Sequence, residues 1–194
     1  ESGCMEAPHG VAARNYFEEI KNASARANEL VRQILLFSRK QDSERKTIAL
    51  LPIVMDALAL LRATLPASVE FRTALGAAFP AVAANATQVY QILVNLGTNA
   101  GQAMPAGGVL TLSLEHVRIT KSEAAACGEL HEGEYVRISV QDTGIGMTHA
   151  TIARVFEPFF TTRGIEGTGL GLSVVHRLVM DHGGAITIES EGGK

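Results

Sequence analysis

The chain has 194 residues and a mass of 20.6 kDa, is 46% hydrophobic and 19% charged, and carries a formal net charge of -3. That hydrophobic share supports a packed core and excludes an intrinsically disordered chain; the length suits one domain with an appendage, or two small domains. A pI near 6.1 lacks the Lys and Arg excess of a nucleic-acid or membrane-surface binder, and two distant cysteines, Cys4 and Cys127, exclude a disulfide framework or a cysteine zinc site and fit a reducing compartment.

Residues 1–10 hold Gly, Pro and small side chains and read as a loop. From Ala12 to Lys40 there is neither Gly nor Pro. Phe17, Ile20, Ser24, Ala27, Val31, Ile34 and Ser38 form one seam there, and Tyr16, Ala23, Leu30 and Phe37 form another. Steps alternating three and four predict a helix about 40 Å long that lies against other helices. Residues 41–46 (QDSERK) make a polar break and the expected domain boundary. Beyond it, Thr47–Leu50 reads as a strand, Leu51–Leu65 as a helix, and Val69–Ala74 and Ala81–Ala84 as strands. Asn85–Met104 is a helix with Asn85 or Thr87 as its cap. Val109–Ile119 and Glu134–Gln141 alternate as strands do, joined by an irregular excursion. Gly169–Asp181 is a helix opening on glycines, and Ala185–Ser190 is a strand. Strands and helices do not alternate regularly, so a doubly wound sheet fits poorly.

The longest charge-free stretch, Thr73 to Leu114, is interrupted by Pro80, Asn85, Gln88, Gln91, Asn95, Asn99 and Pro105. It offers no window of about 20 apolar residues for a membrane span. No signal peptide is visible and the chain opens at Glu1, so the expectation is a cytoplasmic fragment of a longer protein, with which an anchor elsewhere in the intact protein is compatible.

On the Asn85–Met104 helix, Val89, Ile92, Leu93, Leu96, Ala100 and Ala103 make an apolar face. Gln88, Gln91, Asn95, Asn99 and Gln102 make a second face, polar yet uncharged. A solvent-washed face normally carries Lys and Glu, so this stripe fits a lined cleft as well as an accidental run of amides. Neutral amide oxygens are hard ligands, suited to a Mg2+ whose charge phosphates already balance. Next, Asp142-Thr143-Gly144-Ile145-Gly146-Met147 follows a strand. Such an Asp can accept a hydrogen bond from an exocyclic amine, and glycines let a flat ligand approach the backbone, although an ordinary turn has the same text. Gly167-Thr168-Gly169-Leu170-Gly171-Leu172 opens a helix, where free amides and the dipole favour an anion. It is neither a dinucleotide fingerprint nor a P-loop, and a hinge before a core helix fits it equally. Between the two lies Phe156-Glu157-Pro158-Phe159-Phe160-Thr161-Thr162-Arg163-Gly164, with three of the chain's seven Phe. It reads as an aromatic anchor followed by a lid over a phosphate site, with Arg163 able to reach a phosphate.

Taken in this order, the segments closely resemble the ATP-binding domain of sensor histidine kinases, in the superfamily shared with gyrase, heat-shock chaperone ATPases and mismatch-repair proteins. The matching text is QVYQILVNLGTNAGQAM, DTGIGM, FEPFFTT and GTGLGLSVVHRLVMDHGG. Arg14 to Arg39 is similar to the second helix of the family's dimerisation and phosphoacceptor hairpin. The resemblance implies an α+β fold: a two-layer α/β sandwich with a mixed sheet, preceded by one long helix. It implies a partial hairpin over 1–40, a linker over 41–46 and an ATP-binding domain over 47–194 that is truncated at its C-terminus. ATP and Mg2+ would be the cofactors. Asn95 and Asn99 would be the catalytic pair, Asn99 ligating Mg2+ and Asn95 close to the phosphates. Asp142 would bond the adenine amine, with Gly144, Gly146 and Met147 shaping that pocket. Gly167, Thr168, Gly169, Leu170 and Gly171 would give backbone contacts to the phosphates.

Departures from the family pattern bear on mechanism. Hydrolytic relatives carry a Glu one turn before the metal-binding Asn; here that position is Asn95, which cannot take a proton at pH 7. Transfer to another nucleophile is therefore favoured over hydrolysis. Where some relatives have Lys or Arg, Gln102 stands, leaving Arg163 as the expected cation near the phosphates. The family's sheet continues past the final Gly-Gly, so an unpaired sheet edge is expected near Lys194. None of His9, His116, His131, His149, His176 and His182 sits on the expected long helix, and the family's acceptor lies on the helix before it. The leading reading is thus the catalytic core of a two-component sensor histidine kinase whose phosphoacceptor histidine lies outside these residues. Its partners would be a response-regulator receiver domain and a second copy in the intact protein, with no nucleic acid and no membrane contact by this fragment. The alternatives are an ATP hydrolase, which Asn95 disfavours, and a catalytically inactive nucleotide-binding dimerisation scaffold or phosphatase module.

Overall fold

The computed structural model describes residues 44–76, 80–127, 130–164 and 167–192. The chain divides into residues 1–41 and 42–194, and the described residues belong to the second unit. The helix expected over 12–40 lies outside them.

In chain order the elements are β1 (Lys46–Ile48), α1 (Leu50–Thr64), β2 (Val69–Leu75), β3 (Val82–Ala84), α2 (Ala86–Ala103), β4 (Gly108–Ile119), α3 (Lys121–Cys127), β5 (Gly133–Asp142), α4 (His149–Ile152) and α5 (Gly171–Asp181). Along α1 the buried residues are Leu50, Val54, Ala57, Leu58 and Leu61, the spacing of one helical stripe. Pro52 falls in the first turn, where a missing N–H leaves nothing unpaired. Asn85 caps α2, its side chain accepting from Gln88 N at 3.1 Å. The helices α1 and α2 meet at two glycines one turn apart. A Cβ added at Gly97 would lie 2.7 Å from Leu61 Cδ2, and one at Gly101 would lie 2.9 Å from Leu65 Cδ1.

Beneath them β2 pairs parallel with β4, and β4 antiparallel with β5, giving a mixed sheet in the order β2-β4-β5; β1 and β3 form a separate antiparallel pair. On β4, Leu110, Leu112 and Leu114 alternate inward and are almost wholly buried. Leu112 and Leu114 join Leu50, Val54, Leu58, Val89 and Leu93 in the main core, while Leu110 packs with Val69, Ala100 and Met104. A third cluster joins Ile92 of α2 to Val174, Val175 and Leu178 of α5. The result is the expected α+β arrangement, helices layered on a mixed sheet. Among the described residues no helix is long and apolar enough to cross a membrane.

Three local expectations are corrected. The excursion after β4 contains α3, opened by a capping box: Glu123 Oε2 accepts from Thr120 N at 2.8 Å, and Thr120 Oγ1 accepts from Glu123 N at 3.3 Å. The last helix begins at Gly171 rather than Gly169, because Gly169 has φ +64°, which no right-handed helix admits. Residues 185–190 form no strand. Alternation marks a half-buried extended segment, but a strand also needs a hydrogen-bonding neighbour. Here the side chain of Ser190 instead accepts from Met147 N at 2.9 Å.

Candidate functional site

The helix α2 is the spine of the site, because both glycine-bearing loops lie on it. Its middle faces the start of α5. Asn95, only 9% exposed, donates through Nδ2 to Gly171 O at 3.4 Å and accepts at Oδ1 from Gln91 Nε2 at 2.8 Å. One turn on, a Cβ added at Gly171 would lie 3.5 Å from Asn99 Nδ2, so the second amide faces the same residue. Another turn on, the C-terminal end of α2 carries the other loop. Ile145 N donates to Ala103 O at 3.1 Å, and a Cβ at Gly144 would come within 2.6 Å of that carbonyl.

Asp142 ends β5 and is exposed. Its Oδ1 accepts from Gly144 N at 2.8 Å, which curls the loop back over the carboxylate, while Oδ2 has no protein partner among the described residues. Thr143 ties the loop to β4, accepting from Val109 N at 3.0 Å and donating its own amide to Val109 O at 3.2 Å. Gly146 has φ +67° and abuts the Glu191 carbonyl, and Met147 N bonds Ser190 Oγ. These two positions therefore hold the loop against residues 190–191. Ile145 is left projecting, 67% exposed.

The Phe-rich segment is anchored at both ends. The Phe156 ring lies 4.8 Å from that of His176 on α5. The Arg154 guanidinium stacks 4.3 Å from the centre of the Phe160 ring and pairs with Glu157 at 2.9 Å. Phe159 between them is 69% exposed and has φ +66°, a region bulky residues avoid. Its amide donates to Gly169 O at 2.9 Å, so the segment and the glycine loop are joined backbone to backbone. Thr168 Oγ1 accepts from Leu170 N at 3.4 Å, and Leu170 is buried under the turn. A Cβ at Gly167 would overlap the Thr161 side chain. Arg163 donates through Nη2 to Asn99 O at 3.4 Å, and partial burial lowers its pKa, although a guanidinium stays charged near neutral pH.

Of the residues expected from sequence, Asn95, Asn99, Arg163 and Gly171 converge on one stretch of α2, and Asp142 and Gly144 gather at its C-terminal end. Gln102 is exposed on the same helix. Gln91 belonged to the amide stripe without being assigned a role; its spacing of four before Asn95 was the available signal. Ser190, which fixes Met147, left no sequence signal.

A family model described as histidine kinase-, DNA gyrase B-, and HSP90-like ATPase matches residues 84–194. The chain is 38% identical over 176 residues to the sensor kinase CckA of Brucella abortus (strain 2308), covering 90% of this chain but only 19% of that protein. It superposes on full-length ShkA in complex with AMPPNP with a TM-score of 0.72 at 25% identity, over 93% of this chain and 36% of that one. Histidine kinase ThkA, solved in complex with the response regulator protein TrrA, gives a TM-score of 0.67 at 23% identity, over 93% of this chain and 47% of ThkA; at that identity the likeness is one of fold.

Proposed function

The chain belongs to the histidine kinase-, DNA gyrase B- and HSP90-like ATPase family, and from that premise we propose that it is the ATP-binding catalytic core of a two-component sensor histidine kinase. The observation that carries the reading is the chemistry of α2. Its sequence holds no Asp or Glu, and an amide, Asn95, faces the start of α5. A carboxamide takes no proton from water at pH 7, so Asn95 and Asn99 suit holding phosphates for an incoming nucleophile better than activating water. Phosphoryl transfer asks mainly for positioning and charge neutralisation, and a neutral imidazole nitrogen held in line with the departing ADP meets that need.

In this reading Asp142 accepts the adenine amine through Oδ2, and Gly144, Gly146 and Met147 give the pocket its shape. The amides around Gly167, Thr168, Gly169, Leu170 and Gly171, at the start of a helix, face the phosphates, with Arg163 beside Asn99. Among the described residues no three His, Cys, Asp or Glu gather to hold a metal. The neutral amide oxygen of Asn99 fits a Mg2+ held chiefly by nucleotide phosphates, where the ion would neutralise phosphate charge. The phosphoacceptor is a histidine outside this sequence. His176 packs on Phe156, and His182 is held between Asn85 N at 3.1 Å and Leu178 O at 2.7 Å, so the fold already uses both. The partners would be a response-regulator receiver domain, ThkA having been solved in complex with the response regulator protein TrrA, and, in the intact protein, a second copy.

Calorimetric titration of Mg-ATP into this chain tests the proposal. Binding should fall in the micromolar range, about -6 to -8 kcal/mol. Asp142→Ala should weaken it by ~1–3 kcal/mol, the cost of stranding a hydrogen-bonding partner. Asn99→Ala should remove the Mg2+ dependence. A folded chain that binds no Mg-ATP would overturn the assignment.

A further inference from the structure

We infer that Gln91 is a positioning residue that keys the orientation of the Asn95 carboxamide; the inference rests on the proposed role of Asn95 at the nucleotide phosphates. A carboxylate at position 95 would present two equivalent oxygens and need no such key. An amide has two unlike ends and no charge to orient it, and Asn95 is too buried for water to arbitrate between them. The Gly171 carbonyl can only accept, so the side of Asn95 that faces it must be Nδ2. Oδ1 then turns toward the preceding turn of α2, where Gln91 Nε2 donates to it at 2.8 Å. With the amide reversed, Asn95 Oδ1 would oppose the Gly171 carbonyl oxygen, and Gln91 would have to reverse its own amide to avoid setting two donors against each other. Gln91 therefore holds the orientation that the Gly171 carbonyl selects, through a single bond across one helical turn. One amide hydrogen and one lone pair of Asn95 stay free, in fixed directions, for phosphate oxygens or for water bound to them. Gln91 itself touches no ligand in this scheme; it acts through Asn95.

The test is a double-mutant cycle on the full 194-residue chain, read by titration with Mg-ATP and, separately, with adenosine, which has no phosphates. Gln91→Glu keeps the shape but replaces the donor by an acceptor. It should weaken Mg-ATP about tenfold while changing adenosine affinity by less than about twofold. In an Asn95→Ala background the same change should have almost no effect on Mg-ATP, because the group it orients is gone. Gln91→Glu also introduces a charge, so Gln91→Met, uncharged and of similar volume, is the second variant and should reproduce the Mg-ATP loss. It also serves if Gln91→Glu does not fold. Equal weakening of adenosine and Mg-ATP, or an undiminished effect in the Asn95→Ala background, would make Gln91 merely structural and overturn the inference. So would Mg-ATP binding by either folded variant at the parental affinity. If the unsubstituted chain binds adenosine but gains nothing from the phosphates, the reading of Asn95 falls, and the inference with it.

Discussion

Substituting Gly169 by Ala attacks the joint between the Phe-rich segment and the start of α5, and its cost divides into two parts. At φ +64° a Cβ is strained wherever it sits, by about 1–2 kcal/mol. Here it would also stand 2.6 Å from Phe159 O and 2.7 Å from Phe159 Cα. Those are backbone atoms, which cannot swing aside as a side chain would. Relieving them means moving the two strands of chain apart and losing the 2.9 Å bond from Phe159 N to Gly169 O, a further ~0.5–1.5 kcal/mol. The sum is about 1.5–3.5 kcal/mol. Gly183 supplies the internal reference. It has φ +70°, but nothing lies within 4 Å of the Cβ it would gain, so Gly183→Ala should cost only the conformational part, about 1–2 kcal/mol. Urea unfolding of both variants beside the parent measures the difference at a common m-value. Mg-ATP titration should further show Gly169→Ala weakened and Gly183→Ala unchanged. Equal unfolding costs for the two variants would refute the close approach at Phe159 and the joint built on it.

Removing the α2 cap with Asn85→Ala should lower stability by about 1 kcal/mol, because Gln88 N loses its partner, and urea unfolding should show it; no change would mean water replaces the cap. The Glu123 carboxyl is held below the usual carboxylate range by the bonds it accepts from Thr120. A depressed folded-state pKa contributes stability at pH values above the unfolded-state value. That contribution is lost as pH falls through the folded-state value, so α3 should fray on acidification. Carboxyl-detected NMR titration should follow Glu123, and in Thr120→Ala its pKa should move part of the way back up, because the 2.7 Å bond from Thr120 Oγ1 is lost while the bond from Thr120 N remains; an unmoved titration would rule out the side-chain bond.

Much of this fold is legible because its core elements are periodic over long spans. Leu110, Leu112 and Leu114 announce a one-sided strand, and Val54, Ala57, Leu58 and Leu61 a one-sided helix. Legibility stops where an element depends on what lies beside it. Residues 185–190 alternate as well as β2 does, yet β2 pairs with β4 while Ser190 spends its hydroxyl on Met147. The start of α5 turns on a single positive φ at Gly169, which a glycine permits without requiring it. At the site, residue types and spacing select Asn95, Asn99, Asp142 and the glycines. They say nothing of Arg163 lying on the carbonyl of Asn99, or of Asp142 spending one oxygen on Gly144, since both depend on loop paths.

The absence of charge on α2 ties these observations to the proposed chemistry. A helix that lines a phosphate site without carboxylates avoids repelling a polyanion, but it gives up electrostatic orientation of its own side chains. Amides orient only through hydrogen bonds, and hydrogen bonds need partners in fixed places. On α2 the partners of Asn95 come from within the fold: Gln91 on one side and the Gly171 carbonyl on the other. If Asn95 were exchanged for Glu, a carboxylate one methylene longer would have to fit between Gln91, which could still donate to it, and the Gly171 carbonyl, which can only oppose it. Asn95→Glu should therefore not convert this site into an efficient hydrolase. It would supply the base and at the same time push apart α2 and the start of α5, which in the proposed reading hold the phosphates. Substantial steady-state ATP hydrolysis by Asn95→Glu, with Mg-ATP affinity intact, would show that position 95 alone decides between transfer and hydrolysis, and that the surrounding bonds are incidental.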